Sequence, residues 1–163
     1  MLTRLVFGLV VLCLWASSVF AQSQTEPEYL SAAQLRAAIT APSGQPQPGL
    51  LFKRMGERGN YNYWIVRRDS TGQVERHADW TDVFVVQAGK GSLLYGGQLK
   101  GGRENNPGET LGGEIIGGTR QSLATNDMMI IPAGMPHQVW VEPGQSIVYV
   151  IIKVKRQPAT EMK

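Results

Sequence analysis

Two stretches decide how this chain folds: Val74–Gly91, VERHADWTDVFVVQAGKG, and Asp127–Trp140, DMMIIPAGMPHQVW. In the first, Glu75 and His77 stand two residues apart, so on a strand both side chains leave the same face. Asp82 comes five residues after His77, an odd step that an unbroken strand would send to the opposite face. A reversal at Ala78-Asp79-Trp80-Thr81 corrects this and sets Asp82 near the start of an antiparallel neighbour, opposite His77. The second stretch delivers His137, the only other histidine, just after the turn Pro132-Ala-Gly-Met-Pro136. The two histidines and two carboxylates fall where a small β-barrel would converge them.

Outward from these stretches the pattern is strand and turn. Leu50–Met55, Tyr61–Arg67, Gln73–His77, Asp82–Ala88 and Ser92–Tyr95 are β-rich and separated by Gly, Asn, Asp or Ser. Glu114–Ile116, Arg120–Ala124, Met128–Ile131, Gln138–Val141 and Ser146–Val154 continue the series. Asp69-Ser-Thr-Gly72 and Gly89-Lys-Gly91 have the composition of hairpin turns. Leu99–Gly113, with five glycines and Pro107, reads as a long loop at a barrel rim. The one helical signal lies upstream, where Ser31-Ala-Ala-Gln34 has capping-box spacing and Leu30, Leu35, Ala38 and Ile39 give a short apolar stripe. A helix of two to three turns is expected there, packed on the barrel exterior or a partner, and ended by the extended linker Pro42–Gly49. About ten short strands in 163 residues imply an all-β single domain, an antiparallel barrel or two-sheet sandwich.

The chain begins with the pattern of a secretory signal. Arg4 precedes the uncharged apolar run Leu5–Trp15, and Val19 and Ala21 place small residues at −3 and −1 of a cut after Ala21. The run is too short for a comfortable membrane span. Residues 1–21 are therefore expected to be a signal peptide, 22–49 the helix and linker, 50–156 the barrel and 157–163 a tail. The expected location is the periplasm or the exterior, with no stable membrane insertion after cleavage. Cleavage removes Arg4, taking the formal charge from +3 to +2, and it removes Cys13, the sole cysteine. A mature chain without thiols must hold any metal by N and O donors. Its cations are scattered; Lys153-Val-Lys155-Arg156 reads as a solvated strand end, so nucleic acid is not an expected partner.

The paired stretches resemble the two motifs of the cupin superfamily, small jelly-roll (double-stranded β-helix) barrels. The first motif is matched as Glu75-x-His77, four residues, Asp82, six residues, Gly89; the second as Pro132-x-Gly134, two residues, His137. The sequence departs from it in carrying Glu75 for the first histidine, Asp82 for a longer acid, Asn126 for a glycine and Val141 for an asparagine. The resemblance covers about residues 50–155 and implies a cupin-type barrel. It further implies His77, His137, Asp82 and Glu75 as ligands of a divalent metal ion (Fe, Mn, Ni or Zn). A homodimer formed by exchange of terminal strands also follows from it.

Glu75 has a second reading as a catalytic general base. The function implied is metal-dependent chemistry on a small molecule, with dioxygenase, isomerase and lyase reactions open; the alternative is a metal-free, non-catalytic binder of a small ligand. His77 and His137, taken singly, would serve equally well as structural histidines. Asp79 reads as a turn residue. Phe84 and Trp140 are placed at the barrel mouth, with Arg103 and Glu104 as gating residues.

Overall fold

The computed structural model describes residues 26–40 and 48–157. The expected signal peptide, 1–21, most of the linker and the end of the tail lie outside the described residues. Helix α1 (Ala32–Ala38) begins as its sequence dictates: the Ser31 side chain accepts from the Gln34 N–H, and the Gln34 side chain accepts from the Ser31 N–H. Twelve strands follow: β1 (Leu50–Arg58), β2 (Tyr61–Arg68), β3 (Glu75–His77), β4 (Trp80–Tyr95), β5 (Gln98–Lys100) and β6 (Arg103–Asn106), then β7 (Glu109–Leu111), β8 (Glu114–Ile116), β9 (Thr119–Ala124), β10 (Met128–Ile131), β11 (His137–Trp140) and β12 (Ile147–Lys155). Among the described residues no helix is long and apolar enough to cross a membrane.

All pairings are antiparallel, and they form two walls joined through β4. One wall carries β1, β2, β12 and β10 with the first half of β4; the other carries β6, β7, β3, β11 and β9 with its second half. The expected hairpin at Gly89-Lys-Gly91 does not form. The chain bends there and stays in strand, passing from one wall to the other. Gly89 permits the bend because its φ is +75° and a Cβ would stand 2.1 Å from the Ser146 carbonyl oxygen.

Three other expectations are corrected in the same way. Asp69–Gly72 is not a hairpin turn: it carries the chain from β2 in one wall to β3 in the other, held by the Gly72 N–H on the Val139 carbonyl. The step at Ala78–Thr81 likewise crosses between walls, so β3 bonds to β7 and β11 while the start of β4 bonds to β10 and β12. The glycine-rich stretch Leu99–Gly113 is a two-tier β-arm, with β6 on β7 and β5 on β8, stepped at the glycine pairs 101–102 and 112–113. Glycine composition hides such strands, because the paired backbone needs no side chains to close its ladder.

The core fills the space between the walls. Val66, Phe84, Val86, Leu93, Leu123, Ile131, Val139, Ile147, Tyr149 and Ile151 are buried there. The alternate residues of β12 face outward, where α1 lays Leu35, Ala38 and Ile39 against Met55, Ile65, Val148 and Val150. The first wall is thus apolar on both sides, which is why β12 reads as the unbroken run IVYVII rather than as an alternating strand.

Candidate metal centre

The centre is built by register. β3 runs between β11, which sets His137 opposite Glu75, and β7, which sets Glu109 opposite His77. Glu75 and His77 face the interior as the spacing predicts, with Arg76 between them exposed. Asp82 approaches from the other wall rather than from a paired neighbour, with 0% exposure. Its Oδ2 lies 3.4 Å from His77 Nε2 and 3.3 Å from His137 Nε2, and Glu75 Oε2 lies 3.4 Å from His77 Nε2. All four residues named from the sequence are brought together.

Each imidazole is fixed from behind. His77 Nδ1 bonds the Glu109 carboxylate, and His137 Nδ1 bonds the Met135 carbonyl at 3.1 Å. Both partners accept, so each Nδ1 carries a proton and each Nε2 of a neutral ring presents a lone pair to the interior. Neither buried Nε2 has a hydrogen-bond partner among the described residues. An unsatisfied buried polar atom costs about 1–3 kcal/mol, so this pair of nitrogens calls for a cation or a proton between them.

The electrostatics agree. Burial would lower the pKa of His77, but Asp82 and Glu75 outweigh it and push it up to about 10. Burial would raise Glu75, but His77, His137 and Arg68 hold it at about 2. Asp82 is driven far below the usual carboxylate range because the two histidines and Lys153 outweigh its burial. Two carboxylates kept ionised inside a protein make a place for positive charge.

The donors fit a borderline divalent ion. One donor atom each from Glu75, His77 and His137 lies within 4.8 Å of the others. Ligands about 2.0–2.2 Å from a tetrahedral metal stand about 3.2–3.6 Å apart, and the separations to His77 and His137 given above are of that size. Each ring is oriented by a carboxylate or carbonyl on its far nitrogen, as metal-binding histidines usually are.

Several partners were missed from the sequence. Glu109 sits in the stretch expected to be loop, and only the β3–β7 register reveals it. Lys153, expected in a solvated strand end, pairs across strands with Asp82 and places Nζ 2.8 Å and 3.0 Å from its two oxygens. Arg68 donates to Glu75 Oε1 at 3.2 Å and to the Tyr149 hydroxyl at 3.1 Å. Alternation along β2 and β12 could have flagged both cations as inward-facing.

A cavity of about 260 Å³ opens beside the centre, lined by Leu50, Phe52, Trp64, Phe84, Tyr149 and Ile151 with Arg68, Glu75, His137 and Lys153 among its polar groups. Phe84 lies where expected. Trp140 does not line this cavity: it carries the Arg120 guanidinium 4.0 Å over its ring and donates to Glu142. Arg103 and Glu104 are also outside the lining. Asp79 stays in the turn and meets Arg156 at 3.5 Å.

No family model matches the chain, and no curated protein matches it. Solved structures do. A Klebsiella pneumoniae protein with a double-stranded beta-helix domain aligns over 80% of this chain and 91% of its own, at 13% identity and TM-score 0.56. The Schizosaccharomyces pombe Cnp3 cupin domain aligns over 67% and 66%, at 12% identity and TM-score 0.50. A recombinant oxalate oxidase in complex with glycolate aligns over 75% of this chain and 59% of its own, at 13% identity and TM-score 0.50. The fold is that of the cupins. At such identities the likeness speaks for the fold and leaves the chemistry to the site. Within that fold, the centre lies where the two cupin motifs meet, with Glu75 standing in for the first motif's first histidine.

Proposed function

We propose that this protein is an exported, metal-binding cupin that acts on a small molecule in the cavity beside the centre. His77, His137 and Glu75 hold the ion, and Asp82 supplies the fourth donor. The observation that carries this reading is the pair of buried, unpartnered Nε2 atoms facing two ionised carboxylates. The donor set of nitrogen and oxygen, with the only cysteine in the signal segment, suits Fe, Mn, Ni or Zn. Such an ion polarises a carbonyl or lowers the pKa of a bound water. Arg68 fixes Glu75 toward the centre and Lys153 fixes Asp82, while the apolar walls exclude water from the ligand's body.

Glu75 serves better as a ligand than as a general base. A base works best with a pKa near the working pH, and Glu75 at about 2 is far below it. The export reading rests on the N-terminal pattern and is checked by mass spectrometry of secreted or periplasmic protein, which should start at Gln22.

One observation favours a second reading, a metal-free binding protein: both Asp82 oxygens are already committed to Lys153. Elemental analysis of untagged protein, residues 22–163, separates the two. About one equivalent of Fe, Mn, Ni or Zn, lost in His77→Ala/His137→Ala, is the expected result. Metal in neither protein, even after reconstitution, would move the assignment to binding.

A further inference from the structure

The charged groups on the cavity wall are unbalanced. Arg68 and Lys153 both line it, against Glu75 alone. Neither cation is exhausted by its partners. Lys153 has three N–H donors around one Asp82 carboxylate, and Arg68 uses two of its five on Tyr149 and Glu75. Gly72 makes room for the Arg68 guanidinium, since a Cβ there would stand 2.6 Å from Nη1.

The wider charge count points the same way. Glu75, Asp82 and Glu109 supply three negative charges, and Arg68 and Lys153 two positive ones. With neutral histidines, a divalent ion leaves the cluster at +1, in surroundings of low dielectric where an uncompensated charge is costly. One monoanion brings it to neutrality, whereas a neutral ligand leaves the charge standing. Apart from His137 and Gln138 the remaining wall is apolar and partly aromatic, and at about 260 Å³ the cavity lies below the usual range for drug-sized ligands.

We infer that the cavity takes a small monocarboxylate with a compact apolar or aromatic body, its carboxylate set toward Lys153 and Arg68. This rests on the reading above that the cavity is the working pocket of the metal centre, and it adds the class of ligand. The body packs against Phe52, Trp64 and Phe84, and the cations select the anionic end.

The test compares benzoate with benzamide, which have nearly the same shape and differ in charge, by calorimetric titration of protein whose metal content has been measured. Benzoate should bind at least about tenfold more tightly. Lys153→Gln should erase most of that preference and Lys153→Arg should keep it. Circular dichroism and melting curves of both variants establish that they are folded. The preference is a ratio measured on one protein sample, so partial loss of folded protein does not alter it. Equal binding of the two probes to metal-loaded protein, or no binding of either, would overturn the anion assignment while leaving the metal reading intact. Benzoate preference in protein that takes up no metal would support selection of the anion by Arg68 and Lys153 alone, and would sink the metal reading together with the charge count built on it.

Discussion

At Asn126 the backbone φ is +76°, the left-handed region that most side chains avoid. Asparagine tolerates it at little cost, so this residue does the work of the glycine usual at the start of the second cupin motif. Asn126→Gly should therefore be nearly neutral, whereas Asn126→Val should cost about 1–2 kcal/mol, read as a lower urea midpoint with unchanged slope. The same scale decides the ligands. Glu75→Gln should weaken metal binding by more than tenfold and Asp79→Asn should not, because Asp79 is bound in the turn to Arg156; equal effects would remove Glu75 from the ligand set. Glu109→Gln should reduce metal affinity about 10–100-fold without unfolding the barrel, since its contact is with His77 Nδ1 and it would act on an ion only through the orientation of that ring. The four residues that converge at the centre were legible in the sequence because short motifs keep their spacing. Glu109 and Lys153 were not, because each meets its partner through pairing with a distant strand; for Arg68 and Lys153 alternation marks the inward face but not the partner.

Among the elements, β4 bears the greatest topological load: it is the strand both walls share. Its bend at Gly89 leaves no room for a side chain, so Gly89→Ala should destabilise the protein by about 2 kcal/mol or more, seen as a lower melting temperature. If Gly89→Ala melted with the parent, the strand would have to be far more pliable there than its contact with Ser146 allows. Composition marked this site as a turn, and physically it is a related event: glycine releases the backbone, but neighbours on both sides keep it in strand. At α1 local signals sufficed, because a capping box and an apolar stripe act within one or two turns. The β-arm from Gln98 to Ile116 was missed for the converse reason, since its ladders close between segments whose side chains carry little pattern.

For the whole molecule, the shifted ionisations set the pH response of metal-free protein. Glu75 and Asp82 are depressed, so their contribution is fully present above the unfolded carboxylate pKa of about 4 and is lost as pH falls through the folded values, about 2 for Glu75 and lower for Asp82. His77 is raised, so its contribution is fully present below its unfolded pKa of about 6.5 and is lost as pH rises through about 10. Metal-free protein should therefore be most stable between about pH 4 and 6.5, with melting temperature falling on either side. His77→Gln should flatten the alkaline limb. The amino-acid sequence by itself determined that this chain is an all-β barrel with one capped helix, and which two histidines and two acids meet, because periodicity, turn residues and motif spacing act locally. Only the tertiary structure decided how they meet: Asp82 from across the barrel, Glu109 behind His77, Lys153 on Asp82, Arg68 on Glu75. Strand pairing between distant segments carries no local signature, and it is that pairing which turned a set of donors into a charged, half-apolar cavity.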